Sequence, residues 1–339
     1  MAMRVLVTGA SGFIGQHLCR LLVRRGHSVL AMVRRTSARG DLPEAGVRFT
    51  CADLSTGEGL DGAVLEADWV FHLAGLTRAR SEAEFQEVNA RGTERLVEAV
   101  LRRASPPPRL VLCSSLAAAG PARPGQPRRE ADPASPISAY GRSKLAGEEA
   151  IRRHCGRVPS VIVRPPIVYG PGDHELIPTF LPMLKAGVLL KSGWRRKAYS
   201  LVHVADLCDA LVAAAERGRT LLPDGAEPER GVYFVSDGAE HTWDDVCRAM
   251  ARAWGKPGMR ILPLPEWAGY PALAALHLRA LLGGPAPALT LDKLREMAAD
   301  AWTCAADRAA EELGFQPAFP LEHGLQETLA WFRRAGSKG

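Results

Sequence analysis

The chain has 339 residues, of which 47% are apolar and 24% charged, and a formal net charge of +6. That length supports one or two domains with a substantial core, and the composition is that of an ordinary soluble globular protein. The basic excess is spread over many arginines with no long Lys/Arg block, so a nucleic-acid arm is not expected. The seven cysteines are scattered, without a CxxC or Cys/His cluster, which supports neither a zinc site nor a disulfide framework. An odd, dispersed set suits a reducing cytoplasm, and a strand begins so near the N-terminus that no signal peptide is expected.

Arg4-Val5-Leu6-Val7-Thr8 is an apolar run that reads as a buried strand. Gly9-Ala10-Ser11-Gly12-Phe13-Ile14-Gly15 follows, and a helical pattern continues through Leu18, Leu21, Leu22 and Val23. Strand, glycine turn and helix in that order mark a dinucleotide site. Gly9 permits the tight turn, Gly12 lets a pyrophosphate approach the backbone, and Gly15 lets helix and strand pack closely. The helix start offers free N–H groups and a positive dipole end to the phosphates. Ser11, Phe13 and Ile14 lie in the same turn and join the three glycines as candidate cofactor contacts.

The second strand, Ser28 to Val33, ends at Arg34-Arg35 with no carboxylate for a ribose 2′-hydroxyl. An arginine there accommodates a 2′-phosphate, so NADP is expected, with NAD as the alternative. Val47 to Cys51 reads as a third strand, closed by Asp53 and Leu54; Asp53 either bonds the adenine edge or caps the next turn. A fourth strand, Asp68 to Leu73, ends in Ala74-Gly75, where small residues allow the cofactor to come close. His72 lies inside that strand and reads as packing. One helix is expected from Glu82 to about Arg103, carrying Asn89, Gly92 and Thr93, and Pro106-Pro107-Pro108 ends it.

The fifth strand, Arg109 to Cys113, places Ser114-Ser115 at its carboxyl end, where open α/β sheets bind ligands. Gly120 to Pro136 reads as a loop. Tyr140 and Lys144 then stand four positions apart, on one face of a helix favoured by Leu145, Ala146, Glu148, Glu149 and Ala150. An ammonium beside a phenol is expected to lower the tyrosine pKa and ready it for proton transfer near neutral pH. A sixth strand, Ser160 to Arg164, leads into Pro165-Pro166-Ile167-Val168-Tyr169-Gly170-Pro171.

Strands and helices alternating over ~170 residues predict a doubly wound parallel α/β sheet over residues 1–172. Residues 173–339, with shorter mixed elements, read as a smaller substrate-binding lobe from which some elements return to the first core. From Trp267 to Leu291 the only formally charged residue is Arg279. That stretch reads as an apolar lid over the pocket, with an interfacial membrane element as the alternative; Pro271 and Gly283-Gly284-Pro285 make it too short to span.

Taken together, Thr8 to Gly15, His72-Leu73-Ala74-Gly75, Asn89 with Gly92-Thr93, Ser114-Ser115, Tyr140 with Lys144, Arg164 to Pro171, and Val202-His203-Val204 with Asp206 resemble the extended short-chain dehydrogenase/reductase family. The resemblance implies Tyr140 as general acid/base, Lys144 as the group that bonds the nicotinamide ribose, and Ser115 as the group that orients the reacting oxygen. It further implies Asn89 in the supporting network, the Pro165 to Ile167 backbone facing the carboxamide, and a structural His203. Leu73, Ala74, Gly75 and Leu54 complete the implied cofactor contacts, and a homodimer is common in the family.

Two activities compete within that resemblance. One is a reductase or dehydrogenase similar to 3β-hydroxysteroid dehydrogenases, dihydroflavonol reductases and 3-oxoalkanoate reductases; the other is a nucleotide-sugar epimerase or dehydratase. Sugar-nucleotide members usually carry an asparagine shortly after the Arg164 position and an arginine just before Val202. Here Pro165-Pro166 and Tyr199 stand in those places, although Arg195, Arg196 and Lys197 are close by. The expectation is therefore an NADP-preferring oxidoreductase acting on a small apolar carbonyl or secondary alcohol, sterol-, flavonol- or 3-oxoacyl-like.

Overall fold

The computed structural model describes residues 2–40, 42, 45–102, 106–223, 227–268 and 291–336. Fourteen strands are present among them: β1 (Arg4–Thr8), β2 (Ser28–Val33), β3 (Arg48–Cys51), β4 (Trp69–His72), β5 (Arg109–Cys113), β6 (Ser160–Arg164), β7 (Ile167–Tyr169), β8 (Val188–Ser192), β9 (Ala198–Tyr199), β10 (Leu201–His203), β11 (Val232–Phe234), β12 (His241–Thr242), β13 (Arg260–Leu264) and β14 (Ala301–Trp302). Seven of them form one sheet in the order β11-β6-β5-β4-β1-β2-β3, with every pairing parallel. The sheet is buried on both faces because strand side chains alternate. Val5 and Val7 point to one face, with Leu18, Leu22, Leu207, Leu211 and Leu313 from helices Phe13–Arg24, Val204–Arg217 and Asp307–Leu313. Leu6 points to the other, with Leu96, Val97, Val100 and Ile151 from helices Gly92–Arg102 and Ala139–Arg152.

Strand order reverses at β1, which has β2 on one side and β4 on the other. Such a switch point opens a crevice at the carboxyl ends of the strands. The glycine turn after β1 and the Leu73–Gly75 turn after β4 both lie there.

The smaller lobe has its own core of Tyr169, Ile177, Phe180, Leu184, Leu189, Val246, Met250, Leu325 and Leu329. Short sheets β7–β10, β12–β9–β14 and β8–β13 edge it. The two units interleave in sequence: helix Val204–Arg217 and β11 lie beyond residue 172 yet pack in the first sheet. Most of the apolar stretch 267–291 falls outside the described residues. Among the described residues, no helix is long and apolar enough to cross a membrane, and no three metal-ligating side chains come together.

The helix expected from Glu82 to Arg103 is interrupted. It runs as Glu82–Phe85, a π-turn over Gln86–Arg91, and Gly92–Arg102. A π-turn inserts an extra residue without ending the helix, and apolar periodicity does not reveal it. It brings Asn89 into the interior, 3% exposed. Gly147 makes room for this, since a Cβ there would meet Asn89 O at 2.6 Å.

A run of buried hydrogen bonds connects these pieces. The Ala74 N–H donates to Thr8 Oγ1 (3.2 Å), and Thr8 Oγ1 lies 2.7 Å from His72 Nδ1. His72 Nε2 lies 2.9 Å from Thr93 Oγ1, whose hydroxyl donates to Asn89 O (2.7 Å). Thr93 has only one proton to give, so His72 donates from Nε2 and accepts at Nδ1. Burial, reinforced by the Lys144 charge, brings the His72 pKa down to about 3. The ring is therefore a neutral structural link, in line with its expected packing role.

A second buried link joins β6 to the Tyr140 helix. Arg164 Nε and Nη2 donate to Glu148 Oε1 and Oε2 at 2.9 and 2.5 Å, and Ser114 Oγ donates to Oε1 at 2.5 Å. Burial opposes the Glu148 charge, but the Arg164 guanidinium and the Ser114 hydroxyl outweigh it and lower its pKa. Glu148→Ala strands a buried guanidinium and is expected to cost about 3–5 kcal/mol in denaturant unfolding. His72 contributes with the opposite pH sense to a salt-bridged histidine. Its folded pKa is depressed, so its contribution is full above about 6.5 and declines as pH falls towards about 3. The gap in unfolding midpoint between wild type and His72→Gln should accordingly narrow as pH is lowered from about 7.5 to about 5.5 (roughly one unit either side of the free histidine value); a constant gap would contradict this account.

Candidate active site

The glycine turn has the geometry a pyrophosphate needs. Gly9 sits at φ +67°, and a Cβ there would come 2.6 Å from Ala74 N. A Cβ on Gly15 would overlap Gly9 O and the Ala10 backbone, so helix and strand touch at this point. Gly12 differs: a Cβ there would meet only Gly9 O, at 3.2 Å, leaving its outer side open. Gly12 begins helix Phe13–Arg24 with no side-chain cap and no acidic residue in the first turn. The N–H groups and dipole of that end remain available to an anion. Ser11, Phe13 and Ile14 are half-buried around it.

The far end of the crevice is basic. Val33, Arg34, Arg35, Arg39, Phe49, Thr50 and Cys51 line a cleft of about 400 Å³. The Arg39 guanidinium lies over the Phe49 ring, 4.9 Å from its centroid, and Arg35 pairs with Glu58 at 3.5 Å. Arg34 is exposed, with its backbone N–H on Ser37 Oγ (3.2 Å). Asp53 spends Oδ1 on the Ser55 N–H at 2.7 Å, the turn-capping arrangement. Leu54 is buried against Gly92.

At the centre, Ser115 follows β5 and caps the short helix Leu116–Ala119 by accepting from Ala117 N (3.1 Å). Its hydroxyl stands near the Tyr140 phenol, where it acts to lower the phenol pKa. Ser114 points the other way, into the Glu148–Arg164 pair. Lys144 is buried, and its Nζ donates to Cys113 O at 2.8 Å. A Cβ on Gly75 would lie 3.8 Å from that nitrogen and 2.9 Å from Asn89 Oδ1. The small residue at this strand end therefore makes room for Lys144 and Asn89. Asn89 Oδ1 accepts from Leu76 N (2.7 Å), and its Nδ2 donates to Leu76 O (3.0 Å) and Ser143 Oγ (2.9 Å). Ser143 Oγ in turn donates to Tyr140 O (2.7 Å), so the network ends on the tyrosine itself. The Pro165 carbonyl accepts from Leu116 N (2.8 Å), and Ile167 opens β7.

The expected sign of the Tyr140 shift is reversed. Burial raises the phenol pKa, the nearby Ser115 hydroxyl only partly offsets it, and Glu175, Cys113 and Glu296 raise it further. Lys144 does not depress it here, because the ammonium is held by Cys113 O and is itself disfavoured by burial. Four-residue spacing placed both groups on one face but did not fix where a long lysine side chain ends.

Glu175 and Glu296 were not visible as site residues in the sequence. Asp173 accepts from the N–H groups of Glu175 (2.7 Å) and Ile177 (2.8 Å), capping helix Leu176–Ala186. That holds Glu175 against the Thr77 hydroxyl, beside the site. From helix Leu291–Ala298, Asp292 Oδ2 accepts from Ala139 N (2.7 Å), at the start of the Tyr140 helix. Phe85 lies across the Tyr140 ring, with centroids 5.9 Å apart. An Asp173-type cap is recognisable locally, but the contributions of Glu175 and Asp292 depend on long-range packing.

His203 is buried, stacks on Phe319 (4.1 Å) and abuts Tyr169 edge-on (5.4 Å). Burial brings its pKa down to about 4. It lies in the core of the smaller lobe, a packing position.

The NAD dependent epimerase/dehydratase family matches residues 5–225. The chain is 33% identical to the ceramide reductase of Caulobacter vibrioides over 336 residues, covering 98% of this chain and 95% of that one. It is 31% identical to the 4-hydroxy-2-methyl-3-oxo-4-farnesyl-3,4-dihydroquinoline-1-oxide ketoreductase of Stigmatella aurantiaca, covering 99% and 98%. Among solved structures, the Thermus thermophilus UDP-glucose 4-epimerase complex with NAD superposes with a TM-score of 0.76 at 26% identity, covering 98% and 100%. With the glycine turn, the switch-point crevice and the Ser115/Tyr140/Lys144 grouping in place, the chain belongs to the NAD dependent epimerase/dehydratase family.

Proposed function

We propose that this protein is an NADP-preferring oxidoreductase that interconverts a carbonyl and a secondary alcohol on an apolar substrate. The observation that carries this reading is the grouping of Ser115, Tyr140 and Lys144 at the carboxyl end of β5, with a phenol that burial keeps protonated. A protonated phenol is the form a general acid needs when a carbonyl is reduced.

A bound nicotinamide nucleotide would be held by the Gly9–Gly15 turn, the Arg34 cleft and Lys144, and it would supply or accept the hydride. The protein's own part is orientation and proton transfer. Ser115 and Tyr140 together grip the substrate oxygen, and Tyr140 gives up its proton as charge develops there. Lys144 has donor capacity beyond Cys113 O for a ribose hydroxyl of the nucleotide. General acid catalysis of this kind is worth roughly 10²–10⁴-fold, with positioning supplying the rest.

An apolar substrate is supported by the cations of the smaller lobe. Lys197 is buried and committed to Glu266 Oε1 (2.9 Å) and Met297 O, and Lys191 to Asp244 (2.6 Å). Tyr199, which stands before Val202, packs on Trp243 (5.1 Å). A nucleotide diphosphate would have to break such pairs to be bound. The two relatives above are named as reductases of a ceramide and of a farnesylated quinoline. The competing reading, nucleotide-sugar epimerisation, is supported by the likeness to the Thermus epimerase.

Three substrate classes separate the readings: long-chain 3-oxo compounds, sterols and nucleotide sugars, assayed with NADPH oxidation followed optically. Tyr140→Phe should lower kcat by at least ~10²-fold while the dissociation constant of NADPH stays within roughly a factor of three. A fully active variant removes Tyr140 from the mechanism, and epimerisation of a nucleotide sugar without net NADPH consumption selects the competing reading. For the cofactor, Arg34→Asp should shift preference from NADPH towards NADH by ~10-fold or more, the worth of a charge-assisted phosphate contact. An unchanged ratio of kcat/KM for the two nucleotides would rule out Arg34 as the selector.

A further inference from the structure

The parallel pair β8–β13 presents one face to solvent. Its register sets Val188 against Arg260, Leu190 against Leu262 and Ser192 against Leu264. Partners in register point to the same side, and β13 alternates strictly, with Arg260, Leu262 and Leu264 exposed and Ile261 and Pro263 half-buried. Leu190, Leu262 and Leu264 thus form an exposed apolar strip, at 36%, 45% and 39% exposure. Each strand then runs out into an exposed tryptophan, Trp194 after β8 and Trp267 after β13. Because the strands are parallel and Gly193 N bonds Leu264 O (2.7 Å), both indoles stand at the same end, 67% and 68% exposed. Met297, also exposed, adjoins them, since Lys197 bonds both its carbonyl and Glu266.

The acidic groups around this strip are paired, and the charges left over are basic. At the amino ends of the strands, Lys185, Lys256 and Arg260 are exposed, and Lys256 Nζ reaches Lys185 O (3.2 Å). Among the described residues none of the three is paired with a carboxylate. At the tryptophan end, Arg195 and Arg196 are exposed, while the neighbouring Glu266 and Asp300 are already paired with Lys197 (2.9 Å) and Arg195 (3.7 Å). An apolar strip with aromatic side chains at one end and unpaired cations at the other matches the layering of an anionic membrane surface, acyl region below and headgroups above. A protein partner would need a comparably flat, acidic and apolar face, and nothing in the fold selects one.

We infer that the β8–β13 face docks the protein on anionic lipid. The face is not remote from the chemistry. Helix Leu291–Ala298 carries Met297 beside the tryptophan end and Asp292 on the Tyr140 helix, five positions apart, or ~7.5 Å of helix. A substrate leaving the bilayer would arrive next to the site. Docking itself does not depend on the activity proposed above, and it is measured without turnover.

The full chain is co-sedimented with vesicles of equal parts phosphatidylcholine and phosphatidylglycerol and with vesicles of phosphatidylcholine alone. Binding is expected on the mixed vesicles, weaker on the neutral ones and reduced by added salt. Leu262→Glu with Leu264→Glu should lower the bound fraction by ~10-fold or more, and Lys256→Glu with Arg260→Glu should do so on the mixed vesicles alone. The charge pair is fully exposed, so it decides the matter should the leucine pair fail to fold. No binding to mixed vesicles, or binding that both double variants retain, overturns the inference. Sedimentation of the free protein gives a further check: a dimer that the leucine variant dissociates, together with no vesicle binding, assigns the face to a second copy of the chain and likewise overturns it.

Discussion

Everything at the site hangs on the hydrogen-bonded run from Ala74 through Thr8, His72, Thr93, Asn89 and Ser143 to the Tyr140 carbonyl. It starts in the turn beside the switch-point crevice and ends on the residue proposed to exchange the proton. Each member is buried or nearly so, and each donor proton in the run has an acceptor. In such surroundings an unmet donor costs about 1–3 kcal/mol, which makes the run intolerant of partial disruption. Its consequence is geometric: β1, β4, the π-turn helix and the Tyr140 helix cannot slide independently, so the phenol keeps its station relative to the glycine turn.

Around that run, burial does most of the electrostatic work. It keeps His72 neutral and the Tyr140 phenol protonated, and it disfavours the Lys144 ammonium. Only where opposite charges meet, at Glu148 and Arg164, does attraction win over desolvation. The same pair occupies Ser114, which leaves Ser115 as the serine facing the phenol. A phenol kept protonated by burial is poised differently from one that is simply acidified. Its proton is held until negative charge appears on a bonded oxygen.

Much of this was legible in the residues because it is local. The β1 run, the glycine turn and the amphipathic helix after it need only short-range sterics and period, and Gly9 and Gly15 make the tight turn and the close packing their spacing implies. The parallel sheet followed from alternation alone. What stayed hidden depends on where distant side chains end. The π-turn at Asn89 leaves no mark in the apolar pattern. Asp292 reaches the Tyr140 helix, and Glu175 reaches Thr77, from the far lobe. The sign of the tyrosine shift turned on whether Lys144 reached the phenol or the Cys113 carbonyl, a choice that spacing cannot make.

The placement of β11 bears on how such a protein can be divided. This strand closes one edge of the main sheet beside β6, and it comes from well beyond the midpoint of the chain. A fragment cut after the sixth strand would expose a long, apolar, unpaired edge, the template on which chains stack into aggregates. The catalytic half is thus no free-standing cassette. Any recombination with a homologue that aims to trade specificity has to carry this strand across with the half it completes.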